Sequence, residues 1–154
     1  MVAHPLGPDN KGEGSKPSQA DDFPKIWASL TKKRDGHRLY IKGHLLNQNL
    51  GGPGDKVENI TPLTYSANSN HLNAVEKQVK GVVLEDKKTV HYEVHINYPS
   101  SKLPVTGEVN PEEGNLATSL SASWYELAPD KGELKQKGGV HTETVRNVPP
   151  YPQV

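Results

Sequence analysis

The chain has 154 residues, 18 basic and 18 acidic side chains, and no cysteine. This length fits one domain with a modest core, and the balanced charge gives no global sign of a nucleic-acid binder. The lack of cysteine excludes disulfides, thiolate metal sites and a cysteine nucleophile. No apolar run approaches the roughly 20 residues that cross a bilayer, and the amino terminus lacks a signal-peptide pattern, so we expect a soluble protein.

Composition divides the chain into three parts. Residues 1–22 are rich in proline and glycine and poor in large apolar side chains, which predicts an extended, partly disordered arm. A single domain should follow over residues 23–128, and the Pro/Gly-rich residues 129–154 should form a tail with one possible edge strand. At the start of the domain, FPKIWASLTKKR (residues 23–34) has the proline, the apolar spacing and the terminal basic residues of a short helix.

Two short strands and a helix are predicted in the middle of the chain. HRLYIKG has the pattern of a strand ending at Gly43, and NITPL, which begins at Asn59, that of a second strand after a glycine-rich turn. From Thr64 the apolar period becomes helical, with Thr64 or Ser66 as N-cap and Gly81 as the end.

The second half of the chain has the alternation typical of strands. VVLEDKKTVHYEVHINY (residues 82–98) predicts a β-hairpin with apolar residues at period two, and LATSLSASWYEL (residues 116–127) predicts a further strand. The order of elements indicates an α+β fold with an antiparallel sheet and one principal helix.

A first candidate site lies on the strand within residues 90–98. His91, Glu93 and His95 alternate along it and would share one side, where two imidazoles and a carboxylate could chelate zinc in a hydrolase. An antiparallel strand that faces water on one side also carries polar residues there for no catalytic reason. Because no further ligand is suggested nearby, the solvent-facing interpretation is preferred.

A second candidate site combines His44, Asn59, Asn68 and Glu76. Eight residues of helix advance about 80° past two full turns, so Asn68 and Glu76 can share a broad helix face. An imidazole can take a proton from water near neutral pH, and amide and carboxylate oxygens suit magnesium. On spacing alone, a histidine after a glycine is more often a turn residue, so both interpretations stay open.

The residues of this second site also carry a family resemblance. GHLLNQNLGGPG, followed by NITPLTYSANSNHLNAVE, resembles the DNA/RNA non-specific endonucleases of the ββα-metal, or His-Me finger, superfamily. The resemblance covers about residues 38–80 and implies a ββα-metal core. Residues 3–20 and the glycine-rich loop also look like the toxin-type versions found in bacterial polymorphic toxins and contractile-injection effectors. The matching motifs are Gly43-His44, Asn59-Ile60-Thr61-Pro62, Asn68 and Glu76.

The resemblance implies a metal-dependent, sequence-non-specific endonuclease that cuts DNA and RNA. In such an enzyme His44 would be the general base, Asn68 would bind Mg²⁺ or another divalent cation, and Glu76 would orient the waters of that ion. Asn59 would hold the His44 loop or the substrate side of the site. The toxin-type resemblance further implies secretion or injection, action in the cytoplasm of a target cell, and an immunity protein as partner, with no membrane partner.

One departure from the family pattern concerns the residues before Gly-His. The family usually has Asp-Arg there, and this chain has Ile41-Lys42. A lysine supplies charge but lacks the planar fork that holds phosphate through two hydrogen bonds. A degraded site that only binds nucleic acid or protein is therefore an alternative, and so is the zinc hydrolase. The cations predicted to approach the substrate are Lys33, Arg34, Arg38 and Lys42.

Overall fold

The fold comes from a computed structural model that describes residues 1–30, 33–101 and 111–148, with only the backbone at residues 33, 34 and 111. The strands are β1 (Val2–Leu6), β2 (Lys33–Arg34), β3 (His37–Arg38), β4 (Tyr40–His44), β5 (Ile60–Thr64), β6 (Thr89–Asn97), β7 (Ser119–Asp130) and β8 (Glu133–Arg146). The helices are α1 (Tyr65–His71) and α2 (Lys77–Lys80), each followed by a π-helical turn, Leu72–Glu76 and Gly81–Glu85. Short 3-10 turns occupy Lys25–Ser29, Gln48–Leu50, Val57–Asn59 and Pro111–Asn115.

A four-stranded antiparallel sheet, in the order β1-β6-β7-β8, carries the main core. Alternate residues of β6 face the core, and Val90, Tyr92 and Val94 are buried there. They belong to the same buried cluster as Val79 and Val83 of the helical segment. Full burial of a side chain of this size stabilises a fold by about 1.5–3 kcal/mol. The sheet therefore gives the helical segment a rigid base.

The segment that carries the second candidate site is a hairpin followed by a helix. β4 pairs antiparallel with β5, so that His44 lies opposite Ile60 and Tyr40 opposite Thr64. Thr64 then caps α1, because its side-chain oxygen accepts a hydrogen bond from the Ala67 amide at 3.1 Å. The predicted α+β class, with a ββα-metal core, an antiparallel sheet and one principal helix, is confirmed.

The helical segment is longer than predicted and continues without a break over residues 65–85, here called the long helix. Gly81 lies inside a π turn and does not end it. The predicted β-hairpin over residues 82–98 is therefore wrong in its first half, because residues 82–85 are helical and only β6 is a strand. Val82 and Leu84 pack against the main core as helix residues. Their short apolar run does not distinguish a strand from a helix by period.

The predicted helix over residues 23–34 is also wrong: only a 3-10 turn, Lys25–Ser29, forms. The backbone leaves the helical region at Leu30, where φ is −88° and ψ is 53°. Arg38 Nη1 donates to the carbonyls of Trp27 and Leu30 at 3.3 and 3.2 Å, so a side chain satisfies oxygens that a longer helix would use. Residues 31 and 32 lie outside the described residues.

Described residues in the predicted arm and in the predicted tail form strands. Val2–Leu6, predicted as part of a partly disordered arm, forms strand β1 beside β6, which corrects that prediction. The predicted edge strand of the tail exists as β8, which starts at Glu133. Among the described residues, no helix has the length and apolar character needed to span a membrane.

Between β1 and the first 3-10 turn, residues 11–20, here called the arm segment, follow the glycine-rich loop at residues 51–54. The Ser15 amide donates to the Gly52 carbonyl at 3.2 Å, and the Ser18 amide donates to the Gly54 carbonyl at 2.9 Å. Gly51 has a φ of 92°, which favours glycine. These contacts hold the arm segment against the end of β4.

Candidate active site

Four of the predicted site residues line one cavity of about 270 Å³, here called the catalytic cavity. His44, the last residue of β4, lies on one side of it, and the long helix contributes Asn68 and Glu76. The π turn at Leu72–Glu76 lies between those two helix residues. A π turn holds more residues than an α turn, so each residue advances by a smaller angle, and Glu76 rotates back toward the face of Asn68. Lys42, Asn47 and Asn49 also line the cavity.

His44 is oriented by the arm segment. Its Nε2 lies 2.9 Å from the carbonyl oxygen of Ser15. A carbonyl can only accept, so Nε2 must be the donor in this hydrogen bond, and in the neutral ring Nδ1 then carries the lone pair. The contact therefore selects the tautomer in which Nδ1 can act as a base.

Glu76 is a buried carboxylate at the wall of the catalytic cavity, with only 7% of its surface exposed. Asn47 Nδ2 donates to its Oε2 at 2.8 Å. Burial raises the pKa of Glu76, and the hydrogen bond from Asn47 and the charges of Lys80 and His44 only partly oppose that rise. The site thus holds an acidic group whose charge is undercompensated.

His71 lies next to Glu76 in the protein interior and is 1% exposed. Its Nε2 lies 3.3 Å from the Leu45 carbonyl and 3.8 Å from Glu76 Oε1. Burial lowers the pKa of His71, so the imidazole is neutral at neutral pH and this contact is not an ion pair. Within the described residues, its Nδ1 has no hydrogen-bond partner. His71 therefore fills space and donates to a backbone carbonyl without neutralising Glu76.

Lys42 reaches the catalytic cavity, but the arm segment holds its ammonium group. Nζ donates to the carbonyls of Ser18 and Ala20 at 2.7 and 2.8 Å and lies 5.1 Å from the centre of the Trp27 ring. Desolvation and, second, the nearby Arg38 charge lower the pKa of Lys42. An ammonium has three N–H donors, so these bonds leave one for a phosphate oxygen.

Asn59 lies behind the catalytic cavity and does not line it. It is 0% exposed, and its Oδ1 accepts from the Leu46 amide at 2.8 Å. Its Nδ2 donates to the carbonyls of Leu46 and Pro53 at 3.0 and 3.1 Å. Of its two predicted roles, holding the loop after His44 is the one that these contacts match.

The donors around the catalytic cavity fit a hard divalent cation. Asn68 offers an amide oxygen, and its side chain makes no hydrogen bond within the part of the chain that is described. Glu76 supplies a carboxylate whose burial is unfavourable without a nearby positive charge. Amide, carboxylate and water oxygens are the ligands that Mg²⁺ takes in proteins. Asn68 and Glu76 are therefore the residues that would hold such an ion.

Of the other predicted cations, only Arg38 has a described side chain, and it does not line the catalytic cavity. Arg38 lies in a neighbouring cleft that also includes Lys42. Lys33 and Arg34 form β2, and their side chains lie outside what the structure describes. The predicted basic approach is thus represented by Arg38 and Lys42.

The residues of the zinc hypothesis lie on the open face of the main sheet. His91, Glu93 and His95 line up along β6, with 3.6 Å from His91 Nε2 to Glu93 Oε2 and 2.6 Å from His95 Nε2 to Glu93 Oε1. His91 Nδ1 faces His4 Nδ1 at 3.0 Å, and its ring stacks on Tyr125. No group of three or more histidine and acidic side chains in the described ranges has the geometry to hold a metal ion. The zinc hypothesis is therefore wrong for this face.

Three residues of the site were missed from the sequence. Ser15 acts through its backbone carbonyl, which carries no residue-type signal. Asn47 had one weak signal, since its side chain caps the 3-10 turn Gln48–Leu50 and accepts from the Asn49 amide. His71 could have been found from its helical spacing, because it lies four residues before the buried Val75 on the core face.

Comparison with known proteins identifies the family of the chain. The sequence profile of the DNA/RNA non-specific endonuclease family matches residues 16–114, which is more than half of the chain. The chain belongs to this family. Its membership makes it a nuclease with a nucleic-acid substrate, and the family generally uses a divalent metal. Neither a curated protein nor a solved structure matches the chain.

Proposed function

We propose that this endonuclease is divalent-metal-dependent and sequence-non-specific, and that it hydrolyses phosphodiester bonds of both DNA and RNA with Mg²⁺ as its ion. The observation that carries the proposal is the meeting of His44, Asn68 and Glu76 in one cavity, from the end of β4 and from the long helix. Among these, only His44 is a good base near neutral pH, and only Asn68 and Glu76 are hard oxygen donors.

In the proposed reaction, His44 Nδ1 accepts a proton from the attacking water, because Nε2 is bonded to the Ser15 carbonyl. Asn68 and Glu76 would hold the ion, and Asn47 donates a hydrogen bond that fixes the Glu76 carboxylate. The bound cation would neutralise charge on the phosphodiester and stabilise the leaving oxygen. Lys42 places its remaining donor toward a phosphate oxygen, with less directional hold than an arginine would give. None of these groups reads a base.

We further propose that the protein is a bacterial toxin or effector that acts in a target cell and is held in check by an immunity protein. The toxin-like pattern of residues 3–20 and of the glycine-rich loop supports this role. Induced expression in a bacterium that lacks the immunity protein should stop growth and fragment the chromosome. Expression of His44→Ala should do neither. Growth arrest by both versions would contradict a nuclease toxin.

The activity is tested with purified protein, supercoiled plasmid and a transcribed RNA, with Mg²⁺ or with a chelator. We expect the wild type to cut both substrates with Mg²⁺ and neither with the chelator. Loss of a general base lowers a rate by about 10²–10⁴-fold, which is the loss expected for His44→Ala. His91→Ala is the matched control, because His91 lies on the open face of the sheet, and its rate should stay within about twofold of the wild type.

Two outcomes would contradict the proposal. Intact plasmid and RNA with every divalent cation tried would instead support a degraded site that binds without cutting, and binding that does not need Mg²⁺ would identify it. Equal cutting by the wild type and His44→Ala would mean that another residue is the base.

A further inference from the structure

A second cavity opens beside the catalytic cavity and shares part of its wall. It has a volume of about 590 Å³ and is here called the aromatic cleft. Pro17, Ile41 and Lys42 line both cavities, so the two are continuous along β4. The volume is within the usual range for sites that hold small molecules.

The aromatic cleft combines positive charge with aromatic rings. Arg38 and Lys42 line it, against one acidic residue, Asp21. The Arg38 guanidinium has five N–H donors, and Nη1 supplies the two bonds to the carbonyls of the first 3-10 turn. This arrangement suits a phosphate group beside a flat ring.

Of the tryptophan and tyrosine rings in the cleft, one is open to a ligand. Trp27 is buried, and the cations of Arg38 and Lys42 lie 4.9 and 5.1 Å from its ring centre. Tyr40 is buried, and its hydroxyl donates to Glu113 at 2.7 Å. Tyr65, in contrast, is 54% exposed at the start of the long helix. Tyr65 is thus the ring on which a planar ligand can stack.

The β4–β5 hairpin sets the distance between Tyr65 and His44. Thr64 lies opposite Tyr40, at the end of β4 that is remote from His44. Four residues of strand span about 13 Å, so Tyr65 is well separated from His44, whereas Asn68 follows Tyr65 within about one helical turn. Lys42 lies midway and faces both cavities.

We propose that the aromatic cleft binds a nucleotide next to the scissile phosphate, with its unpaired base stacked on Tyr65 and its phosphate near Arg38 and Lys42. This inference rests on the proposed nuclease function and adds a preference for single-stranded nucleic acid. Bases inside a duplex already stack on each other, so only an unpaired base can stack on the tyrosine ring. Stacking has no requirement for one particular base, which agrees with cutting that is not sequence-specific.

The test measures binding without cleavage, in the His44→Ala background, using a fluorescently labelled single-stranded oligonucleotide. Stacking of a base on an aromatic side chain is worth about 1–3 kcal/mol, so Tyr65→Ala should raise the Kd by about 5–150-fold. Tyr65→Phe keeps the ring and should bind within about twofold of the parent. The matched control is Tyr98→Ala, since Tyr98 is 59% exposed and lies outside the cleft. Its Kd should not change.

An abasic oligonucleotide of the same length separates stacking from contacts with the backbone. Its Kd should be the same with and without Tyr65→Ala, and a blunt duplex should show the same insensitivity. An unchanged Kd for the single strand on Tyr65→Ala, or an equal loss for the abasic strand, would overturn the inference. Because this measurement needs no cutting, a protein that fails to hydrolyse DNA but loses affinity on Tyr65→Ala would refute the proposed activity and leave the cleft in place.

Discussion

Two clusters of histidine and acidic side chains in this protein differ in how they are assembled. The residues around the catalytic cavity come from the end of β4 and from the long helix, and their side chains converge on one space. The cluster on the open sheet face comes mainly from one strand, and its side chains bind each other.

The difference teaches that composition alone does not make a metal or catalytic site. Residues at alternate positions of a strand lie about 6.6 Å apart on the same face. A carboxylate in such a row can form hydrogen bonds with the neighbouring imidazoles instead of binding an ion. Glu93 is such a case: its pKa is lowered by the hydrogen bond from His95. Burial on a separate helix instead raises the pKa of Glu76.

The largest expected effect concerns Asn68. Asn68→Ala removes an oxygen donor from the catalytic cavity, and we expect cutting to fall by about 10²–10³-fold, similar to the loss of a single electrostatic stabiliser in other enzymes. Isothermal titration with Mn²⁺ as a probe should also show a weaker Kd. His95→Ala, in the other cluster, should change neither readout. Unaltered metal affinity in Asn68→Ala would exclude Asn68 as a ligand.

A somewhat smaller effect should come from the arm segment. A methyl group on Gly14 would overlap the backbone of Gln48, whereas one on Gly12 would make an ordinary contact at 3.5 Å with the Gly51 carbonyl. Gly14→Ala should therefore displace the Ser15 carbonyl from His44 and lower the rate at least about tenfold, since misplacement of about 1 Å in an active site can cost 10²-fold.

Gly12→Ala is the matched control and should stay near the wild-type rate. Circular dichroism would show whether the two variants remain folded. If Gly14→Ala cut as fast as Gly12→Ala, the arm segment would have no part in orienting His44.

Lys42 tests how much the departure from the family pattern matters. Lys42→Met keeps the side-chain length but removes the charge, and kcat/KM on single-stranded DNA should fall about tenfold, the effect of about 1.4 kcal/mol. Lys42→Arg keeps the charge and adds the planar fork, so we expect activity at or slightly above the wild type. A large loss in both variants would indicate that the bonds to Ser18 and Ala20, rather than the charge, are what Lys42 supplies.

The smallest effect concerns the free energy of unfolding, which should depend on pH in opposite ways for Glu76 and Glu93. A glutamate whose folded pKa is raised loses stability as pH rises from its unfolded pKa, 4.5, through the folded value. Glu76→Gln should therefore increase the free energy of unfolding by about 1 kcal/mol at neutral pH in chelator. Glu93 has a lowered pKa, so its stabilising contribution is lost as pH falls, and Glu93→Gln should remove that opposite trend.

Urea titrations of both variants between acidic and neutral pH would measure the two slopes. A less stable Glu76→Gln at neutral pH would contradict the view that this carboxylate is undercompensated. With saturating Mg²⁺ the order should reverse, because the ion binds the folded wild type more tightly than the variant.

The sequence was sufficient for the parts of this protein that depend on local pattern. The two strands were predicted to end at Gly43 and to begin at Asn59, each within one residue of the observed bounds, and Thr64 was one of the two predicted caps. The burial of Val75 and Val79 follows from helical spacing. The catalytic candidates His44, Asn68 and Glu76 came from fixed intervals rather than from period, and the fold brings them together.

What the sequence did not reveal depends on contacts between distant segments. The carbonyl of Ser15 bonds His44 across 29 positions, and no side chain records such a contact. Arg38 ends the 3-10 turn by bonding its carbonyls, so a regular helical pattern was overridden by a tertiary contact. The π turns are likewise invisible in an apolar period, although one of them rotates Glu76 toward Asn68.

The borders of the family match have a consequence for how this nuclease could be exchanged between proteins. The match, residues 16–114, begins one residue after Ser15 and includes only β6 of the four strands in the main sheet. A recombination event that moved only the matched stretch would transfer the catalytic candidates without β1, β7 and β8. The long helix would then lack most of the sheet against which it packs. The smallest stretch of this chain that would fold as the enzyme is therefore longer than the matched stretch, and it includes residues on both sides of the match.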